Sequence, residues 1–251
     1  MKEQNTLFNG SYNKNVVITG ASRGIGKAIA EVFAAEGYNL YLCSLNETIL
    51  YRTTEELKTA FPNIHVKAKA RDLSSKKGVE SFGQWILDNS ITIDVLINNA
   101  GVFEPGNVYN EPDGMLERMM AINLYSAYHL TRMLIPTIMA QSNKSGSRGH
   151  IFNICSIASL AAYKNGGSYS ISKFALHGFS KNLREEMKPY GIKVTSVFPG
   201  ATYTDSWADA EIEPGRILEA KDIAQMILAA TRLSAAACVE DIVLRPQSGD
   251  L

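Results

Sequence analysis

The sequence predicts an α/β fold: a doubly wound, parallel, seven-stranded sheet with helices on both faces, three layers (αβα) in one domain over residues 1–251. Three observations predict it. Short apolar runs alternate with longer amphipathic stretches along the whole chain. The runs are rich in β-branched residues and nearly continuous in apolar ones, as strands covered on both faces require. No repeat and no linker interrupts the alternation.

Strands are predicted at residues 15–19, 39–44, 64–70, 93–98, 150–155, 193–198 and 239–244, each a short apolar run bounded by polar or turn-forming residues. Helices are predicted at 24–36, 47–60, 75–89, 111–140, 167–190 and 220–233, where apolar residues recur at helical spacing. A helix after each parallel strand implies right-handed crossovers. The Gly/Ser-rich patch at 141–149 reads as a helix-to-strand loop of ordinary length. With 251 residues and 45% hydrophobic content, the chain can bury one large core.

Composition narrows the function classes. Charges balance at 25 basic and 25 acidic residues, so no field draws the chain to nucleic acid or to an anionic membrane. No run approaches the ~18 apolar residues of a membrane span, and the first fifteen residues carry no apolar leader core. Cys43, Cys155 and Cys238 are widely spaced within apolar stretches and read as small hydrophobes in a reducing compartment, which points to a soluble cytoplasmic protein. The four histidines have no ligand spacing, so no metal is expected; a Gly-x-Ser-x-Gly elbow is absent, which disfavours a serine hydrolase.

Thr19-Gly20-Ala21-Ser22-Arg23-Gly24-Ile25-Gly26 follows the first strand and opens the first helix. Glycines there permit a tight turn and let a pyrophosphate settle on the helix N-terminus, the Rossmann-type arrangement. A mononucleotide P-loop needs four residues between its glycines and then Lys-Ser/Thr, whereas five separate Gly20 from Gly26 and Lys27 precedes Ala28. The ligand crevice of such a sheet lies at the carboxyl ends of its strands, where Asn98-Asn99-Ala100-Gly101, Cys155-Ser156 and Pro199-Gly200 all fall. Within the helix predicted at 167–190, Tyr169 and Lys173 are four residues apart and share a face. A fixed ammonium favours the phenolate and is expected to bring a phenol of pKa ~10 toward working range.

Taken together, Thr-Gly-x-x-x-Gly-x-Gly at 19–26, Asp72-Leu73, Asn98-Asn99-Ala100-Gly101, Asn123, Ser156, Tyr169-x-x-x-Lys173 and Pro199-Gly200 resemble the short-chain dehydrogenase/reductase family over nearly the whole chain. The resemblance implies an NAD(P)-dependent oxidoreductase acting between a ketone or aldehyde and the corresponding alcohol. It gives Tyr169 the proton exchange, Lys173 a hold on the nicotinamide ribose, Ser156 a hydrogen bond to the substrate oxygen and Asn123 a water relay. Cofactor contacts are implied for Gly20, Ser22, Arg23, Gly24, Ile25, Gly26, Ser44, Asp72, Leu73, Asn99, Ala100, Gly101, Tyr169, Lys173, Pro199, Gly200, Thr202 and Thr204. Read without the resemblance, Asn123 is a structural hydrogen-bonder, Ser156 caps a turn and Asp72 closes one.

The cofactor is expected to be NADP(H), with NAD(H) possible. The second strand ends in Leu42-Cys43-Ser44-Leu45-Asn46, with no acid to bond a ribose 2′-hydroxyl, and Arg23 offers a guanidinium that can fork onto a 2′-phosphate. A short substrate loop is placed at 203–219. Surplus apolar residues in the 111–140 and 167–190 helices, with the family's pairing of those helices, imply a homodimer or homotetramer. The alternative function is a catalytically silent NAD(P)-binding sensor or scaffold, which an intact Tyr169 and Lys173 oppose.

Overall fold

The computed structural model describes residues 14–141, 148–204, 213 and 215–250. Seven parallel strands form one sheet: β1 (Asn15–Thr19), β2 (Asn39–Ser44), β3 (Val66–Ala70), β4 (Val95–Asn98), β5 (Gly149–Ile154), β6 (Ile192–Pro199) and β9 (Asp241–Leu244). Their order across the sheet is β3-β2-β1-β4-β5-β6-β9. The winding therefore reverses between β1 and β4, and the crevice opens there.

Strand periodicity decides which helix lies on which face. Val16 and Ile18 turn to one side with Leu40, Leu42, Val95, Ile97 and Phe152, where α1 (Gly24–Ala35), α2 (Glu47–Ala60) and α7 (Ala220–Thr231) bury Ile29, Phe33, Leu50 and Ile223. Val17, Tyr41, Leu96, Ile151 and Val194 turn to the other side, against Phe82 and Ile86 of α3 (Lys76–Asp88), Leu130 and Leu134 of α5 (Ser126–Ala140) and Leu183 of α6 (Gly167–Met187). Fully buried Phe33 and Phe82 anchor the two layers. Truncating either to alanine would cost about 3–5 kcal/mol.

Three features depart from the sequence reading. The helix expected at 111–140 starts at α4 (Met115–Met120) and runs into α5 through a π-helical turn, Ala121–Tyr125, in which Ser126 N–H donates to Ala121. A second, two-stranded parallel sheet joins β7 (Thr202–Tyr203) to β8 (Leu218–Glu219), closing the base of the expected substrate loop. Two residues per strand leave no periodicity to read. Of that loop, residues 205–212 and 214 lie outside the described residues, as do 142–147 of the Gly/Ser patch and the first thirteen residues. Cys43 and Cys155 are buried as expected, but Cys238 is exposed, because it lies in the surface connection from α7 to β9.

Candidate active site

The glycine loop links β1 to α1 and is shaped by its glycine backbone and by the Asn99 and Thr19 side chains that tie it to the end of β4. Gly20 has φ +67°, and a Cβ there would lie 2.8 Å from Asn99 Nδ2 and 3.0 Å from Ala100 Cα. Asn99 explains the crowding: its amide donates to Thr19 O (2.9 Å) and Gly20 O (3.1 Å), while Thr19 Oγ1 accepts from the N–H groups of Asn99 and Ala100, each at 3.0 Å. The ends of β1 and β4 are thereby tied together at the crevice. α1 begins without a side-chain cap and without an acid in its first turn, which leaves its N-terminal N–H groups suited to an anion. A dinucleotide's pyrophosphate fits this cradle.

Around the loop, Ser22 Oγ lies 2.8 Å from Ser44 Oγ and Arg23 is exposed at the start of α1. Ile25 is partly buried, with Gly24 and Gly26 beside it in the first turn. Thr204 reaches over the loop, within 3.2 Å of a Cβ placed on Gly24, and both border a recess of about 310 Å³ that Lys27, Glu31, Tyr203 and Ala220 also line. Asp72 Oδ1 accepts from Ser74 N–H (2.9 Å), so this carboxylate closes a turn beyond β3, while Leu73 is buried behind it. Asn46 Oδ1 accepts from Ile49 N–H and caps α2. Gly200 donates to Leu244 O (2.8 Å) and Thr202 Oγ1 donates to Gly200 O (2.9 Å), which sets Pro199–Gly200 at the carboxyl end of β6. Sequence-distant strand ends thus converge on one crevice.

The second half of the site is built from side chains. Ser156 follows β5 and does two things: its Oγ accepts from Ala158 N–H (3.1 Å), capping a short 3-10 turn, and its side chain lies close enough to the Tyr169 hydroxyl to lower its pKa. The turn-capping and substrate-facing readings of this serine are compatible. Tyr169 and Lys173 lie one turn apart on α6, with Lys173 Nζ 5.8 Å from the Tyr169 ring centre and donating to Ile154 O at 2.8 Å. Asn123 sits in the π-helical turn, buried, with Oδ1 accepting from Val102 N–H (2.8 Å) and Nδ2 donating to Val102 O (3.1 Å) and Ser172 Oγ (2.9 Å). It clamps the segment following Gly101 onto α6. Gly101 lies between them: a Cβ there would fall 3.1 Å from Asn123 Oδ1 and 3.4 Å from Lys173 Nζ.

Burial governs the protonation of both central groups. It pushes the Tyr169 hydroxyl up to about 12, against the lowering influence of nearby Ser156, and pushes Lys173 down to about 8. The expected lowering of the phenol by Lys173 is therefore absent in this structure. The ammonium is turned to the Ile154 carbonyl, and desolvation of the hydroxyl dominates. At neutral pH the phenol keeps its proton and the lysine keeps its charge.

Three nearby residues escaped the sequence reading. Phe103 packs its ring edge-to-face on Tyr169 (centres 4.9 Å apart) and stays half-exposed; Tyr163 flanks the same hydroxyl; and Glu111 meets the start of α6. Phe103 and Glu111 come from the loop of 101–114; Glu111 falls within the helix expected at 111–140, and only an aromatic and an acid in a Gly/Pro-rich segment hint at either residue.

A dinucleotide-binding crevice joined to a Ser-Tyr-Lys cluster defines a nicotinamide-dependent oxidoreductase. The sequence profile of the short chain dehydrogenase family matches residues 14–214, and the chain belongs to that family. It is 31% identical to a diacetyl reductase, (S)-acetoin forming, of Staphylococcus epidermidis, over 86% of this chain and 90% of that protein. Among solved structures it resembles a metagenomic short-chain oxidoreductase in complex with NADP (28% identity, TM-score 0.79, 93% of this chain and 97% of that one). L-sorbose reductase of Gluconobacter frateurii, complexed with NADPH and L-sorbose, is similar as well, with 26% identity and a TM-score of 0.81 over 92% of this chain and 95% of that one.

Proposed function

We infer that this chain is an NADP(H)-linked reductase of small ketones or aldehydes, with Tyr169 as proton donor. The observation that carries the reading is the placement of Tyr169 on α6, with Lys173 Nζ 5.8 Å from its ring centre and close to Gly101 at the crevice, and with Ser156 beside its hydroxyl. When bound, the nicotinamide supplies the hydride that reaches the carbonyl carbon. Negative charge then develops on the carbonyl oxygen, and two hydroxyl donors are preplaced for it. Ser156 donates a hydrogen bond to that oxygen, and Tyr169 transfers its proton to it, leaving a phenolate next to the Lys173 ammonium. In the reverse direction the phenolate takes the alcohol proton. Asn123 holds the 102 segment against α6, and the family's water relay would pass beside it.

NADP(H) is favoured because β2 ends at Ser44-Leu45, without an acid, and because Arg23 lies exposed at the rim of the crevice. Two of the relatives named above are NADP or NADPH complexes. Among the described residues no helix is long and apolar enough to cross a membrane, and a cytoplasmic location accords with the thiols of Cys43, Cys155 and Cys238 being unlinked. Leu116, Tyr125, Ile171 and Phe174 are exposed on α4, the π-helical turn and α6, an apolar face suited to a homodimer or a tetramer built from it.

The test is NADPH consumption with a panel of carbonyl compounds, beginning with diacetyl and L-sorbose. Turnover of one or more is expected. NADPH binding without turnover across the panel would instead establish the silent sensor.

A further inference from the structure

α6 carries both Tyr169 and Lys173, yet nothing in its own sequence caps it. Its N-cap, Gly166, makes no side-chain bond, and its first turn holds no acid. The first N–H groups of any helix lack partners within the helix, and the turn that bears them frays unless something accepts from them. Here the acceptor comes from 57 residues away. Glu111 Oε1 accepts from Ser168 N–H at 2.9 Å, and Oε2 accepts from Ser168 Oγ. A second tie, Gly106 N–H to Asn165 O at 3.0 Å, holds the same loop against the approach to α6. Gly167 has φ +34°, and a Cβ there would overlap the Glu111 carboxylate, so the close approach depends on glycine at this position. Tyr169 is the next residue after Ser168, and its ring meets Phe103 of the same loop.

We propose that Glu111 is a positioning residue for Tyr169: its carboxylate, by holding Ser168, sets the first turn of α6 so that the phenol meets Ser156. The proposal rests on the reading of Tyr169 as proton donor. Glu111 touches neither substrate nor reacting atoms; it acts through Ser168. Its worth in rate is that of placing a reacting group correctly, where an ångström of misplacement can cost about 100-fold.

The experiment measures kcat and KM for diacetyl with NADPH, NADPH affinity, and amide exchange in α6. Glu111→Ala is expected to lower kcat by roughly 10- to 100-fold, to leave NADPH affinity unchanged and to speed exchange at Ser168 and Tyr169. Glu111→Gln, which can still accept from Ser168 N–H and donate to Ser168 Oγ, is expected to restore most of the rate. Gly167→Ala keeps the carboxylate but displaces it, and is expected to follow Glu111→Ala. If Glu111→Ala does not fold, Ser168→Ala, which removes one of the two bonds, is expected to fall between wild type and Gly167→Ala. A Glu111→Ala enzyme with lowered melting temperature but wild-type kcat would overturn the proposal, as would a Glu111→Gln no better than Glu111→Ala. Tyr169→Phe in the same assay separates the two readings: if it retains turnover, the proton-donor assignment is what has failed.

Discussion

The two halves of the crevice are held by different means. On the cofactor side, the β1–α1 loop owes its shape to a left-handed glycine and to backbone carbonyls bonded by Asn99, with Asn99 and Thr204 packed so close that the glycines leave little room for a Cβ. On the catalytic side, the positions of Ser156, Tyr169 and Lys173 depend on side chains: the local Ser156 cap, and the Asn123 clamp and Glu111 contact, which reach across many residues of sequence. The first half is vulnerable to added atoms, the second to lost ones.

The largest effect is expected from losing one atom on the catalytic side. Tyr169→Phe keeps the ring against Phe103 and removes the donor, so turnover should fall ~10²- to 10⁴-fold while NADPH affinity and melting temperature hold. A variant retaining more than about a tenth of the wild-type rate would remove Tyr169 from the chemistry. Next is a charge at the rim of the cofactor side. Arg23→Ala should weaken NADPH by roughly 10- to 150-fold, the worth of a charge-assisted bond of ~1.5–3 kcal/mol, and spare NADH. Equal loss for both cofactors, read by titration, would show that the guanidinium does not contact the 2′-phosphate.

A smaller, opposite insult sharpens the contrast. Gly20→Ala adds one methyl at φ +67° beside Ala100, which should destabilise the fold by about 1–2 kcal/mol and weaken both cofactors together. Denaturant unfolding checks this, and a neutral effect would mean the loop can re-form around a side chain. The last effect concerns pH. Lys173 lies near 8 when folded against 10.5 ordinarily, so between those values the unfolded chain binds more protons and stability rises with pH. Its burial therefore costs stability most fully below pH 8, and the cost fades as pH climbs to 10.5. In Lys173→Met that slope should vanish, so the stability gap between variant and wild type shifts in favour of wild type as pH rises. Parallel stability curves over this range would show that the ammonium is not desolvated as described.

What could be read directly from the residues was local. The β-branched runs ended up as the seven strands because a strand covered on both faces has little choice of residue, and observed bounds differ from expected ones by at most two residues at either end. The Tyr169–Lys173 pairing follows from helix pitch, and the glycine loop from its place between a strand and a helix. The π-helical turn around Asn123 was invisible, because its sequence continues the apolar pattern of the helices on either side.

The sequence by itself thus determined the sheet, the helices and the identity of the cluster, since periodicity and spacing act over a few residues. Tertiary structure decided what those residues do to one another. Ser156 meets Tyr169 only because α6 docks beside the end of β5, and Glu111 reaches Ser168 only because the 101–114 loop folds back across it. The protonation states came from burial, not from the neighbour four residues away: desolvation raised the phenol and lowered the ammonium. Burial is a property of everything packed around a group, and no local spacing contains it.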